Sequence, residues 1–535
     1  MKHRLLYIPI AILLLLSFTD CAKKGRPSGG ARDTIAPTIV RMVPENYSIN
    51  FDEDEIRITF DEYIKLNELQ KNLIISPPLK YPPIITPLST SKTLKIKIND
   101  TLKENTTYSI NFGQSIVDNN EGNPYEYFKY VFSTGTYIDS LSLKGRITDA
   151  LLPQAEAPTT VMLYEVNETF TDSIVYTEKP TYIAVTTDST STFELTNLKE
   201  GTYLLMALKE SSPNYTFQPA TDKIAFESEL ITLPTDSIYD LKLFKEKRAY
   251  RLTKPKHEGK THIIFGYEGI ADSLRIRELS TDLPADYTSM VFKDRTKDTL
   301  HYWFRPSLEK DSLVFAVQNK SRIDTVTARL RNLFQDTLKV SMINKTVVLP
   351  RDTLKLESTT PIVSIDSTLV NVFDKDTLAL PVKTRLDPKY NIAQFRFPMT
   401  ADNSYQVTVL PGALTDLYGK QNDTLSYLIR TKPLSDYGTM QLRLENVAKY
   451  PIIVQLVDSN FDVVRERYLT EPSDISFEDI SPAKYYIRII YDDNENGRWD
   501  SGNFLNRKAP EKVIYYPTLL DIRSNFNYNE TFRLK

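Results

Sequence analysis

Tyr108 to Thr134 reads YSINFGQSIVDNNEGNPYEYFKYVFST, and Tyr405 to Thr431 reads YQVTVLPGALTDLYGKQNDTLSYLIRT. Each stretch opens with alternating apolar residues: Tyr108, Ile110 and Phe112 in one, Tyr405, Val407 and Val409 in the other. Each closes the same way, with Tyr130, Phe132 and Thr134 matching Tyr427, Ile429 and Thr431. Successive side chains of a strand point to opposite faces, so an apolar residue at every second position marks a strand with one buried face. Between the strands, Asp118 and Gly122 are matched by Asp416 and Gly419, the residues of a tight turn. A strand, a D-x(2–3)-G turn and a second strand, used twice, predict a chain built from repeated β units.

The same period runs outward from these stretches. Ile56-Arg57-Ile58-Thr59-Phe60 and Leu94-Lys95-Ile96-Lys97-Ile98 alternate, bounded by Asn, Asp, Gly and Pro. Only Leu66 to Leu73 reads as helix, one turn or two. A second repeat pairs Phe193, Leu195, Leu198 and Tyr203 with Ile475, Phe477, Ile480 and Tyr485. Both copies then enter an apolar strand, Leu204 to Leu208 and Tyr486 to Ile490. Many short strands at regular spacing predict an all-β chain of tandem β-sandwich modules.

Composition agrees. The 535 residues include 32 Tyr and 24 Phe but only 16 Gly, favouring strands over Gly-rich phosphate loops. Hydrophobic residues at 41% supply material for several cores. A net charge of −3 argues against a nucleic-acid partner, which needs a broad basic face. A single cysteine excludes disulfides within the chain and a multi-cysteine zinc site.

That cysteine, Cys21, follows a positive start (Lys2, Arg4) and an apolar run from Leu5 to Phe18. The run is shorter than a comfortable membrane span of ~20 residues. This resembles a bacterial lipoprotein signal, which implies diacylation of the Cys21 thiol and a lipid-anchored mature chain. Asp20 departs from the small residue such signals prefer before the cysteine. Ala22 to Thr34 is polar and rich in Gly and Ser, suited to a tether.

The opening Ala36-Pro37-Thr38-Ile39-Val40, the strand Ile56 to Phe60 with Asp61-Glu62, Thr106-Thr107-Tyr108, Ser115 to Asn123 and Phe132-Ser133-Thr134 resemble the Ig-like domain of bacterial surface-layer and envelope proteins. With the lipoprotein start, the chain looks like an Ig-like lipoprotein of the Bacteroidota type. Gly145-Arg146-Ile147-Thr148-Asp149 and Phe193 to Tyr203 resemble prealbumin-like domains of the carboxypeptidase-regulatory and collagen-adhesin B types. The second copy has Ala483 where that pattern has Gly. Neither resemblance implies an enzyme.

The expected division is a signal over 1–20, a tether over 21–35, and an Ig-like domain over 36–136. A prealbumin-like sandwich follows over 140–245, then a β-domain of undefined type over 246–334. A weaker second Ig-like domain spans 335–433 and a C-terminal prealbumin-like sandwich 436–535.

Chemistry is sparse. His257, His262 and His301 are the histidines of the mature chain, and the first two, five apart, share neither a helix face nor a strand face. They read as solvated loop residues. No nucleophile elbow, H-E-x-x-H, Walker loop or dinucleotide fingerprint occurs. The acids Asp52-Glu53-Asp54-Glu55 read as a polar turn, and Asp61-Glu62 as charges on an edge strand. Aromatics near turns, among them Tyr125, Tyr127, Phe128, Tyr302, Trp303 and Trp499, read mainly as core and cross-strand pairs.

The sharpest local motif is Asp492-Asp493-Asn494-Glu495-Asn496-Gly497-Arg498-Trp499-Asp500. Asp492, Asn494, Asn496 and Asp500 place oxygens at the alternating positions calcium requires, around a turn at Gly497. Asn503 stands where an EF-hand has its bidentate Glu, and a strand precedes the loop, so the expectation is a weak calcium loop. The chain is therefore read as a non-enzymatic, lipid-anchored cell-envelope protein that scaffolds or binds a protein or glycan partner. The rivals are a carbohydrate-active hydrolase with its site between modules, and an envelope assembly factor. The basic residues after Cys21, Lys23 and Lys24, favour an outer-membrane lipoprotein facing the periplasm.

Overall fold

The computed structural model describes residues 33–186, 191–271 and 273–534. Cys21 and the signal lie outside the described residues. The chain is all β. It separates into two compact units: the described residues through Ser142 with Thr196–Lys199, and Leu143–Leu195 with the residues from Glu200 onward.

In the first unit, a five-stranded sheet runs in the order Ile39–Val43, Glu55–Leu66, Ser91–Lys97, Ile84–Thr86, and Ile116–Asp118 also pairs with Glu55–Leu66. A three-stranded sheet, Ile74–Ser76, Thr107–Asn111, Lys129–Ser133, completes the sandwich. The alternation becomes a core: Ile56, Ile58 and Phe60 from one sheet pack in one cluster with Tyr108, Ile110, Tyr130 and Phe132 from the other. Burying each such side chain contributes roughly 1.5–3 kcal/mol. The helix is a single turn, Leu69–Asn72. Glu55–Leu66 lies between two partners, so Asp61 is not an edge charge as expected. Its carboxylate instead accepts from the Thr38 backbone N–H at 2.7 Å and the Thr38 hydroxyl at 2.6 Å.

One topology occurs twice in the chain. Residues 141–243 form a five-stranded sheet, Tyr182–Val185, Thr160–Glu165, Gly201–Lys209, Lys223–Phe226, with Ile231–Leu233 also on Gly201–Lys209. Against it stands a three-stranded sheet, Thr192–Leu198, Leu141–Asp149, Ile238–Leu243. Residues 438–533 repeat this with Val463–Leu469, Ile452–Val457, Ala483–Tyr491, Val513–Tyr515 and Leu520–Ile522, and with Ile475–Ile480, Gly438–Glu445, Asn527–Arg533. In both, the last strand of the small sheet pairs parallel, Leu241 beside Ile147 and Tyr528 beside Met440. Gly145 is required by this packing: a Cβ there would lie 2.3 Å from the Tyr239 carbonyl oxygen.

Between these copies, residues 251–329 form two sheets, one centred on His262–Glu268 and Thr299–Arg305, the other Leu274–Glu278, Ser312–Asn319, Arg322–Arg329. Residues 340–431 form two four-stranded sheets and a two-stranded ribbon, Ile362–Ile365 with Leu414–Asp416. The copies are not beads in a simple row. The C-terminal copy closes back on the earlier one within the second unit: Phe504 is fully buried against Phe226, with ring centroids 5.3 Å apart.

Candidate functional site

Three places in the second unit bring polar or aromatic side chains together. The first is the Asp492–Asp500 loop. Asp492 accepts from the backbone N–H groups of Asn496 (3.1 Å) and Gly497 (2.7 Å). Glu511 accepts from those of Asp493 (2.9 Å) and Asp500 (2.8 Å). The earlier copy is wired the same way. Glu210 accepts from Asn214 and Tyr215, and Asp222 from Ser211 and Gln218. In both copies two acids brace the loop from within, satisfying turn N–H groups that no strand can pair.

Asp500 is the hub of the later loop. One oxygen accepts from the side-chain amides of Asn494 and Asn496, and the other pairs with Lys247 Nζ at 3.0 Å. Burial works against its charge, but these amides and Lys247 hold its carboxyl down at about 2. Thus Asp492, Asn494, Asn496 and Asp500 do gather in one loop. Among the described residues, no three His, Cys, Asp or Glu side chains converge in the manner of a metal site.

The second place is an aromatic cleft of about 610 Å³ bordered by Pro153, Phe461, Tyr486, Tyr515 and Leu519. Phe461 stacks on Tyr486 at 5.2 Å, and Tyr515 meets Tyr486 edge-on. Buried Arg488 underlies it, held by Gln455 at 2.6 Å, and reaches the Leu151 carbonyl at 3.3 Å.

The third place was not foreseen. His257 and His262 are not solvated loop residues: His257 is buried in the strand Lys256–Gly259, and His262 opens the strand His262–Glu268. Antiparallel register sets Ile264 opposite His301 and His262 opposite Trp303. Residues 301 and 303 share a face, so both imidazoles and the indole meet on one side of the sheet. His262 stacks on Trp303 with centroids 3.8 Å apart and planes 4° from parallel. His262 Nε2 lies 2.9 Å from His301 Nδ1, and His301 Nε2 lies 3.2 Å from Asp294 Oδ2.

The tautomers follow from this order. Burial opposes the Asp294 charge, yet the Thr296 and Lys297 backbone N–H groups and His301 keep its carboxyl down at about 2. An ionised carboxylate only accepts, so His301 Nε2 carries a proton toward Asp294, and a second proton lies between His301 Nδ1 and His262 Nε2. Burial, then the nearby His301 and His257, push the His262 imidazole down to about 3, so it stays neutral at ordinary pH. These groups border a cavity of about 670 Å³, whose far side includes Glu357, Tyr390 and Asn391. No sequence spacing announces this cluster, because cross-strand register alone brings His262 to His301.

The acids near residue 52 and the aromatics near residue 127 stay apart from these places, whereas Trp303 and Trp499 belong to the third and the first. Asp52, Glu53 and Asp54 are exposed and join Asp100 and Glu104 around a shallow acidic hollow in the first unit. Phe128 is buried against Phe112 and Tyr125, whereas Tyr127 is 63% exposed. Trp303 lies mid-strand rather than at a turn.

Residues 33–134 match the family model of a bacterial Ig-like domain. No curated protein matches the sequence. Among solved structures, the chain is similar to domains 1–6 of the surface layer protein SbsC, at 12% identity over 91% of this chain and 67% of that one, with a TM-score of 0.16. It is similar to the Bacillus anthracis TIE protein at 10% identity over 95% of this chain and 76% of that one, with a TM-score of 0.15. It is also similar to BcpA*, the major pilin subunit of Bacillus cereus, at 13% identity over 74% of this chain and 99% of that one, with a TM-score of 0.14. At these scores the structural likenesses carry no argument. The class the fold defines is an all-β protein of sandwich modules, in which residues 33–134 match a bacterial Ig-like domain.

Proposed function

We propose that the chain is a non-enzymatic scaffold or binding protein of the bacterial cell envelope, held to the outer membrane by lipid on Cys21 and facing the periplasm. The observation that carries this is the order of parts: a short apolar run, the sole cysteine, a polar tether, then a bacterial Ig-like domain from residue 33. A thioether to diacylglycerol supplies two acyl chains, and two chains anchor a protein stably where one does so marginally. The resemblance to Bacteroidota lipoproteins and the basic Lys23 and Lys24 support the lineage and the orientation. The test is membrane fractionation of Cys21→Ala beside wild type. The variant is expected in the soluble fraction or as an unprocessed precursor; equal membrane association and equal mobility sink the proposal.

The Asp492–Asp500 loop completes the proposal as a weak calcium site. An ion there competes with Lys247 for Asp500 and with backbone N–H groups for Asp492. Affinity therefore belongs at the weak end, ~10⁻⁴ to 10⁻³ M. A melt with calcium against chelator, beside Asp492→Ala, tests it; a wild-type melt that does not move rejects it.

A further inference from the structure

Two residues that border the cavity beside His262 each hold a buried polar atom without a partner, and the two atoms are of opposite kind. Trp303 borders it and is 3% exposed, yet its indole Nε1–H, a donor only, has no hydrogen-bond partner. Asp336 borders the same cavity, and its Oδ2, an acceptor, is buried without a partner as well. Asp336 is seated there by Gly259, where a Cβ would lie 2.1 Å from Oδ2. Buried polar atoms without partners are few in native proteins, and two on one cavity call for a common cause.

Their chemistry narrows what pairs with them. The occupant must accept from Trp303 Nε1–H and donate to Asp336 Oδ2. Arg295, 3.6 Å from Glu357, adds a donor fork beside a carboxylate. Phe292 and Tyr390 supply aromatic wall. The lining sets four carboxylates, those of Glu258, Asp294, Asp336 and Glu357, against the cations of Lys293, Arg295 and Lys297, so it holds no excess of positive charge to draw an anion. A divalent cation is disfavoured by the imidazoles. With ring centroids 5.1 Å apart and nitrogens 2.9 Å apart, the two nitrogens lie between the rings and share one proton; they do not converge on a third point. A volume of about 670 Å³ falls among small-molecule sites.

We propose that this cavity binds a small saccharide, whose hydroxyls both donate and accept, through Trp303 Nε1–H, Asp336 and the Arg295–Glu357 pair. The proposal rests on the reading of the chain as a binding protein, while anchoring at Cys21 stands or falls separately.

Trp303 and Trp499 are the only tryptophans, so Trp499→Phe makes the emission report on Trp303 alone. The full mature chain with this change is titrated with chitotriose, cellotriose and maltotriose to millimolar concentration, with inorganic phosphate and calcium chloride as ion controls. At least one saccharide is expected to change the emission saturably. Asp336→Asn and Arg295→Ala are each expected to raise its Kd by about tenfold or more, the effect of losing a hydrogen bond to a charged group. Arg295 is half-exposed at the rim, so its replacement keeps the test open if the Asp336 variant does not fold. No response to any of the three saccharides overturns the proposal. So does a response that both variants leave intact, or one that phosphate or calcium produces alone.

Discussion

Tyr108 and Tyr405 do the same work in the two repeats read from the sequence. The Tyr108 hydroxyl accepts from the Lys103 backbone N–H at 2.9 Å, and the Tyr405 hydroxyl from that of Thr400 at 2.6 Å. Both tie a strand back to the chain five residues before it, as in the tyrosine corner of Ig sandwiches. Thr134 and Thr431 close both copies, accepting from Thr106 and Asn403 and donating to the Lys103 and Thr400 carbonyls. Asp118 gathers the N–H groups of four turn residues, Asn120 to Asn123, and Asp416 those of Tyr418 and Lys420. The matches seen in the sequence are thus hydrogen-bond positions as much as core positions. Tyr108→Phe and Tyr405→Phe are each expected to lower stability by about 1 kcal/mol, read by denaturant unfolding, since the ring stays and one hydrogen bond goes.

His262 sets a second expectation at this scale. Unfolded, its imidazole titrates near 6.5; folded, it stays neutral to about 3. Below pH 6.5 the unfolded chain binds a proton that the folded chain refuses, so stability falls as pH drops from 6.5 toward 3. Asp294 and Asp500 are lowered as well, from 3.8 to about 2, so their contribution has the same sign in a lower window: it is present above pH 4 and lost toward pH 2. His262→Gln keeps a polar partner for His301 without a titrating group. It is expected to flatten the fall between pH 6.5 and 4, measured as melting temperature against pH; an unchanged slope rejects the assignment.

Among the elements, strands were legible wherever one face is buried, because alternation records that burial directly. Ile56, Ile58 and Phe60 are at most 1% exposed, with exposed Arg57 among them. Pairing between distant strands left no such record. Nothing local to Ile238–Leu243 says that it runs parallel to residues 144–149, and nothing local to Asp61 says that its strand is central. The histidine cluster was hidden for the same reason. His262 and His301 are joined by register across two strands, while sequence motifs report only neighbours along the chain. Gly145 marks where pairing does reach the sequence. Gly145→Ala would drive a Cβ into the Tyr239 carbonyl and the Phe193 ring, at 2.3 and 2.5 Å. Backbone cannot turn aside as a side chain can, so a loss of about 1–3 kcal/mol is expected in denaturant unfolding. A neutral result would mean that the parallel strand sits farther away.

At the scale of the whole molecule, the second unit is fastened by a clasp. The loop following Asp500 carries Ser501 to the Lys245 carbonyl, the Phe504 N–H to Glu246, and Arg507 to Asp172, while Lys247 pairs with Asp500. The Arg507 guanidinium also covers the Phe504 ring at 5.0 Å. The motif singled out as a calcium loop is therefore one side of this clasp, which no reading of the loop alone could reveal. Phe504→Ala is expected to cost about 3–5 kcal/mol. It should also split the calorimetric transition of the two similar copies, which in wild type are expected to melt as one. A single transition at the wild-type temperature would show that the clasp couples nothing.

The clasp also decides how the molecule bears load. Its two sides, residues 245–247 and 500–504, bracket the sheets of residues 251–329 and 340–431. Tension entering at one end of the unit and leaving at the other crosses directly from one side to the other. The bracketed sheets hang in a slack bight until Phe504 is pulled from its socket, and only then does the stretched chain begin to draw on them.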